Sequence, residues 1–401
     1  MAASLVRRAW RLPLYVSGRL ARRDPQTWLF GNEKGFRDSP RYLAEHITAE
    51  RAPLRAWWVA RTERELKQAA AAGLDAVLRG TSESARLHRR AGAAFLTHGF
   101  QDVEAVWLGG AFLVHLFHGT ALKRTGLDVD FNRFTDASLG SRFVTGLHRW
   151  SLARGWSQVK MFVAPSQLAM PRYVSAFECD PATVHVLGSP RFDVIRGGPA
   201  YERAAAGDVR GQLGVRADEH LVAWLPTWRE RGDAAWLPEL DGRLLQELLA
   251  GTSVVVVAKP HPYSQLDIYR ERLPEHQRFR LLPEAKVDVN CLMHVADQLI
   301  TDYSSVSFDY SILHRPIHFL APDIAEYGRG RDFYEPFDTI TQGRQHDAWE
   351  PLLRSIAQSA AGARSDALEN TEWIAEHTGN RDEPGTIDRI VDAVSGAMLA
   401  G

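Results

Sequence analysis

Short apolar runs recur along the chain with polar, helix-period stretches between them. In the first half the runs are TWLF (27–30), RAWWVA (55–60), AAFLTH (93–98), FLVHLF (112–117), VKMFVA (159–164) and TVHVLG (183–188). Each has the length of a strand and is too short for an ordinary helix. TERELKQAAAAGL predicts a helix, and so does SLGSRFVTGLHRWSLARG, where Phe143, Leu147 and Trp150 share a face. Strands alternating with helices predict a parallel, doubly wound sheet. Residues 192–219 break the pattern with Gly197, Gly198, Pro199, an Ala-rich charged helix and Gly214, after which LVAWLP, SVVVVAK, ADQLIT and PIHFLA restart it. A second doubly wound domain is expected there. Ile387, Ile390, Val391, Val394 and Met398 stand at helical spacing and predict a packed terminal helix.

A chain of 401 residues exceeds one ordinary core, which supports the two-domain reading. The charge is nearly balanced, 48 Lys and Arg against 49 Asp and Glu, so no nucleic-acid partner is expected and any anion binding must be local. Cys179 and Cys291 form no CxxC pair, which fits a reducing, cytoplasmic setting and argues against structural zinc. The opening MAASLVRRAWRLPLYVSGRLARR holds Arg7, Arg8, Arg11, Arg19, Arg22 and Arg23 and no acid. Arg11 and Pro13 interrupt its apolar content, so it is neither a signal peptide nor a membrane span. Trp10, Tyr15 and the leucines between the arginines suit a segment lying on anionic lipid; the alternative is a solvated basic tail. The expected division is a basic arm over 1–25, domains over 26–197 and 198–380, and a terminal helix over 381–401.

In open α/β sheets ligands sit beyond the carboxyl ends of the strands, and four such places carry chemistry. In HGTALKRTGLD, His118 follows FLVHLF directly, Gly119 and Thr120 turn the chain, and Lys123 and Arg124 follow. A neutral imidazole there can take a proton from an attacking hydroxyl, or simply cap the sheet. In LPTWRE, Thr227 and Arg229 follow a strand, and the arginine fork suits phosphate oxygens or a salt bridge to a helix. In VVVVAKPHPYS a fully buried strand leads to Lys259 and to His261, held between Pro260 and Pro262. In LITDYSSVSFDYSILHRPIHFL, Thr301, Asp302, Ser304 and Ser305 precede a helix. A serine there is an ordinary N-cap, and two hydroxyls with free N–H groups also make an anion site. Asp309, one turn in, either meets ligand hydroxyls or lies on the helix surface. Asp128 and Asp130 form a DVD triplet of the kind found in metal-dependent glycosyltransferases, but it does not end an apolar strand, and no metal site is expected.

Taken in order, HGTALKRTGLD, LGSPRFDVI, LPTWRE, KPHP and TDYSSVSFDYSILHRPIHFL resemble the CDP-glycerol glycerophosphotransferase family of teichoic-acid synthesis, over roughly residues 26–340. Ala121 stands where that family usually has proline, Phe117 where Trp is common and Thr301 where Ser is common. The resemblance implies an α/β, GT-B type architecture, with two Rossmann-like doubly wound domains facing a central cleft and the nucleotide held mainly by the second. It implies transfer of glycerol phosphate from CDP-glycerol to a hydroxyl of a lipid-linked or polymeric glycan acceptor, with CMP released and no further cofactor. His118 would be the base and His261 its catalytic partner on the pyrophosphate, with Arg229, Ser304 and Ser305 beside it. Asp309 would face glycerol or ribose, and Pro190 and Arg191 the nucleotide. Gly119, Thr120, Lys123, Asp128, Thr227, Lys259 and Thr301 complete the implied substrate contacts. The expected placement is peripheral, on the inner face of the cell membrane. The alternatives are a GT-B glycosyltransferase or ribitol-phosphate transferase with another activated donor, and a non-catalytic membrane-surface module that binds nucleotide or polymer.

Overall fold

The computed structural model describes residues 18–130, 139–205, 207–229, 232–282, 287–330, 332–368, 377–379 and 384–400, so most of the expected basic arm lies outside the described residues. The chain divides into two compact units. Among the described residues the first takes 18–118, 130, 139–193 and 384–400, and the second takes 119–129 and 194–379.

The first unit is a seven-stranded sheet of β1 (Asp24–Phe30), β2 (Arg55–Ala60), β3 (Asp75–Leu78), β4 (Ala91–Leu96), β5 (Phe112–His115), β6 (Met161–Ala164) and β7 (Val184–Val186). Their spatial order is β3-β2-β1-β4-β5-β6-β7, and every pairing is parallel. The central strands carry the core: Trp28, Leu29, Phe30 and Phe95 are fully buried, and Phe30 stacks on Phe95 at 4.4 Å. The second unit is a six-stranded parallel sheet of β8 (His220–Leu225), β9 (Val254–Ala258), β10 (Phe279–Leu281), β11 (Gln298–Thr301), β12 (Ile317–Leu320) and β13 (Gln345–His346), in the order β10-β9-β8-β11-β12-β13. All five residues of β9 are buried, as a run of valines covered on both faces requires.

The segment 119–129 and the terminal helix do not follow the expected division. Residues 119–129, expected in the first domain, fold with the second unit. The helix Thr386–Ala400, expected as a separate terminal element, packs into the first unit through Ile387, Ile390, Val391 and Val394. Asp193 accepts the Thr386 and Ile387 backbone N–H groups at 3.1 and 2.8 Å, and Asp388 receives His46 and Arg51, both at 2.8 Å. Helix Leu139–Trp156 is present, but Leu147 and Trp150 point into solvent, and the side chain of Phe143 lies outside the described residues. Its buried anchor is Trp156 instead. Arg23, counted with the basic arm, is part of the fold: its guanidinium donates to the carbonyls of His88 at 2.7 Å, Ala91 at 3.0 Å and Gly18 at 2.9 Å. Among the described residues no helix is long and apolar enough to cross a membrane.

Because Asp193 supplies the first hydrogen bonds of the terminal helix, Asp193→Ala should lower the denaturation free energy of the first unit by about 1 kcal/mol, the usual effect of uncapping. An unchanged denaturation midpoint would contradict that role.

Candidate active site

In the first unit β1 and β4 are neighbours whose connections run to opposite sides of the strand order, so their carboxyl ends form the topological switch point. One buried carboxylate organises it. Asp102 accepts the backbone N–H groups of Thr97 (2.7 Å), His98 (2.8 Å) and Gly99 (3.1 Å), and its other oxygen accepts that of Glu33 (2.8 Å). The loops after β1 and β4 are thereby tied together. Gly31 permits the approach, since a Cβ there would collide with the Asp102 carbonyl.

Beside this knot the chain leaves β5 through a sharp turn, with Phe117 at φ 55° and Gly119 at φ 121°. A bulky residue in the left-handed region is uncommon and here aims the next side chain. The His118 ring lies almost flat on the His98 ring, 5.0 Å between centroids and 11° between planes, and donates to the Thr97 carbonyl. The ring is nevertheless exposed to solvent. Crowding by surrounding chain, then His98 and Arg191, lower its pKa below the ordinary imidazole value, against the opposing pull of Asp38 and the Thr97 carbonyl. His118 is therefore neutral at physiological pH and can accept a proton. His98 is also lowered, by burial first, while Asp102, Asp38 and Glu33 pull the other way. Burial pushes Asp38 up, but Arg191 and the Ser39 N–H more than offset it and hold the carboxyl below the usual range.

That last contact gives Arg191 a structural partner. Its guanidinium grips the Asp38 carboxylate in a fork, Nε at 2.6 Å and Nη2 at 2.5 Å, within the first unit. Pro190 is buried beside it. Both residues thus help build the first unit.

The second unit, counted from its own first strand, has the order 3-2-1-4-5-6, with the switch point between β8 and β11. LPTWRE and TDYSS emerge at that point. Thr301 donates to the Leu225 carbonyl at 2.9 Å and locks the two strand ends. Asp302 accepts the Thr227 N–H at 2.9 Å and pairs with Arg229 at 2.9 Å. Arg229 is 5% exposed, so its expected role as a phosphate fork is corrected. Its Nε and Nη2 reach both oxygens of Asp323 at 2.9 and 3.1 Å, and its plane lies 4.2 Å from the ring of Trp236 and 4.7 Å from those of Tyr303 and Tyr327. Burial opposes the charge, but the two carboxylates override it and raise the pKa further. Arg229 is a buried strut between the loops after β8, β11 and β12.

Other polar side chains surround this point. Ser304 and Ser305 are half-buried, and Ser305 makes no side-chain cap to the six-residue helix Val306–Ser311; Ser304 Oγ accepts the Val306 N–H at 3.4 Å. Thr227 is half-buried with an unpartnered Oγ1. Lys259 is half-buried, and His261 stands exposed in the turn after β9, near Tyr263 (5.2 Å), which meets Trp228 edge-on at 5.8 Å. Asp309 is fully buried, which corrects both its expected contact with glycerol or ribose and the helix-surface alternative.

Within the second unit Lys123 donates to the Tyr327 hydroxyl at 2.8 Å, and Asp128 accepts that of Tyr334 at 2.5 Å. Both brace the segment 119–129. Gly119 and Thr120 are buried, and the Thr120 Oγ1 has no partner. Among the described residues no group of three His, Cys, Asp or Glu side chains is placed to hold a metal ion. Sequence reasoning missed Asp38, His98, Asp102 and Asp323. The strand-end rule that found His118 points equally to His98, the last residue of AAFLTH.

Residues 15–395 match the model of a family described as CDP-Glycerol:Poly(glycerophosphate) glycerophosphotransferase. The chain is 28% identical over 270 residues to the teichoic acid ribitol-phosphate polymerase TarK of Staphylococcus aureus, covering 66% of this chain and 47% of that protein. It is 26% identical over 321 residues to the teichoic acid poly(glycerol phosphate) polymerase of Staphylococcus epidermidis, covering 77% and 42%. The chain thus spans less than half the length of either relative. The structure of the wall teichoic acid polymerase TagF superposes with a TM-score of 0.73 at 21% identity, over 100% of this chain and 96% of that one. At that identity the likeness is one of fold, and it agrees with the GT-B type α/β class of two doubly wound units.

Replacing Arg229 by Met leaves Asp302 and Asp323 buried without their cation. Arg229→Met should therefore destabilise the second unit by about 3–5 kcal/mol, the usual effect of breaking a buried pair from one side. Urea unfolding followed by tryptophan fluorescence measures this, and a loss under about 1 kcal/mol, the range of exposed pairs, would contradict the strut.

Proposed function

The chain belongs to the CDP-glycerol:poly(glycerophosphate) glycerophosphotransferase family, and from that premise we propose that it transfers glycerol phosphate from CDP-glycerol to a hydroxyl of a lipid-linked or polymeric cell-surface acceptor, releasing CMP. The observation that carries this reading is the neutral, solvent-reaching His118 imidazole, fixed by the Thr97 carbonyl at the switch point of the first unit. His118 takes the proton of the acceptor hydroxyl as its oxygen bonds to the phosphorus that carries glycerol. The bond from that phosphorus to the CMP oxygen breaks, and CMP leaves as a stable anion needing no strong acid. In the second unit the polar and aromatic groups around the switch point are suited to the donor by type: Lys259, His261 and the Ser304, Ser305 and Thr227 hydroxyls for the phosphates, Trp228 and Tyr263 for the flat base. Arg229 acts at one remove, by holding Asp302 and through it the Thr227 N–H.

A second reading, ribitol phosphate as the transferred group, draws support from relatives: TarK is named for it, and a poly(ribitol-phosphate) polymerase of Bacillus spizizenii is 31% identical over 192 residues. Rates of CMP release from CDP-glycerol and CDP-ribitol separate the two.

His118→Ala should lower turnover by at least ~10²-fold, the usual effect of losing a general base, while calorimetry finds CDP-glycerol binding nearly unchanged. Lost donor affinity with turnover retained at saturation would remove His118 from that role.

We also place the protein at an anionic membrane surface. At the amino end of β1 a groove of about 1270 Å³ is lined by Arg22, Arg55, Arg86, Arg89 and Arg90, against Asp24 and Glu83, with Leu20 83% exposed at its rim. Each arginine near such a surface contributes about 1 kcal/mol. The combined variant Arg22→Glu, Arg86→Glu and Arg90→Glu should bind phosphatidylglycerol vesicles at least tenfold more weakly and keep its affinity for CDP-glycerol. Equal sedimentation of variant and wild type would refute the surface.

A further inference from the structure

We propose that His98, anchored through Asp102, is a positioning residue that fixes the tautomer and the charge of His118, so that one neutral imidazole in one orientation faces the acceptor. This rests on the reading of His118 as the base.

Four observations converge on it. The two rings are stacked at 5.0 Å and 11°. The carbonyl that receives the His118 proton belongs to Thr97, the residue before His98. Asp102 holds the Thr97, His98 and Gly99 backbone through three N–H bonds, so the carbonyl and the stacking ring move as one body. The buried His98 Nδ1 makes no hydrogen bond and faces Asp102 Oδ1 at 3.8 Å. A ring held for packing alone has no need of a carboxylate opposite its unbonded nitrogen.

The charges around His98 fix the sign of its influence. Asp102 from its own loop, Glu33 and Lys34 from the loop after β1, Asp38 and the Arg191 that grips it, and the imidazoles of His118 and His115 all face it. Burial lowers the His98 pKa overall, and the three carboxylates work against that lowering, so His98 still takes a proton on acidification. Stacked rings do not both hold a charge readily, so a protonated His98 keeps His118 neutral to lower pH. His98 thereby extends the acid side of the range over which His118 can act as a base.

The test uses the full chain and the variants His98→Gln, which keeps a polar group without charge, and His98→Phe, which keeps the stacked ring. With nitrogen-detected imidazole spectra of the substrate-free protein at neutral pH, wild type and His98→Phe should show His118 as a single tautomer and His98→Gln a mixture. In both variants the acid limb of kcat against pH should move upward by on the order of one unit, with KM for CDP-glycerol within about twofold of wild type. A purely structural role would lower stability or raise KM without moving the limb. An unmoved limb, or one displaced to lower pH, would overturn the inference, as would one His118 tautomer retained in His98→Gln. Should His118→Ala retain full turnover, the base reading fails by itself, and the tautomer spectra still decide whether His98 governs the His118 ring.

Discussion

Each unit is built on a strand order that runs outward from its first strand in one direction and, from its fourth, in the other. The chain cannot close over the space between those two strand ends, because the connections that leave them diverge. The buried carboxylates that organise the candidate site lie at those two places, and both are held by the same device. In the first unit Asp102, after the fourth strand, accepts the N–H of Glu33, after the first. In the second unit Asp302, after the fourth strand, accepts the N–H of Thr227, after the first. A buried carboxylate bonded to backbone is costly unless every oxygen is satisfied, so each of these residues fixes its crevice firmly or not at all.

From this shared frame the two units diverge in what they present. The first surrounds its carboxylate with imidazoles: His118 open to solvent, His98 beneath it and His115 fully buried. The second surrounds its carboxylate with a buried guanidinium and a box of aromatic rings, then sets half-buried hydroxyls and an exposed imidazole around that rigid centre. One is suited to handling a proton and the other to holding an anion without moving. The proposed phosphoryl transfer from a pyrophosphate to a hydroxyl asks for both, since little covalent chemistry falls to the protein and most of the barrier is met by placement and charge.

The fold was largely legible because central parallel strands are buried on both faces and read as continuous apolar runs. The three strands the pattern did not reveal, β3, β10 and β13, are all at sheet edges, short and with few buried apolar residues. At the site, strand-end position found His118, Thr227, Thr301 and Asp302. It did not distinguish a group that meets ligand from one that supports it, because that depends on partners distant in sequence: Arg229 finds Asp323, Arg191 finds Asp38, and Lys123 finds Tyr327. Asp102 was invisible for the same reason, as an acid in a loop shows nothing of the four amides that converge on it.

The central claim is that the bond broken joins CMP to the phosphorus carrying glycerol, and that this phosphorus moves to the acceptor. The most direct measurement uses CDP-glycerol radiolabelled at that phosphorus alone, with a lipid-linked acceptor in vesicles and the protein in excess over donor. Label should pass to the lipid or polymer fraction in step with release of unlabelled CMP. Label that stays soluble, as intact donor, inorganic phosphate or free glycerol phosphate, while CMP accumulates would contradict transfer to an acceptor hydroxyl.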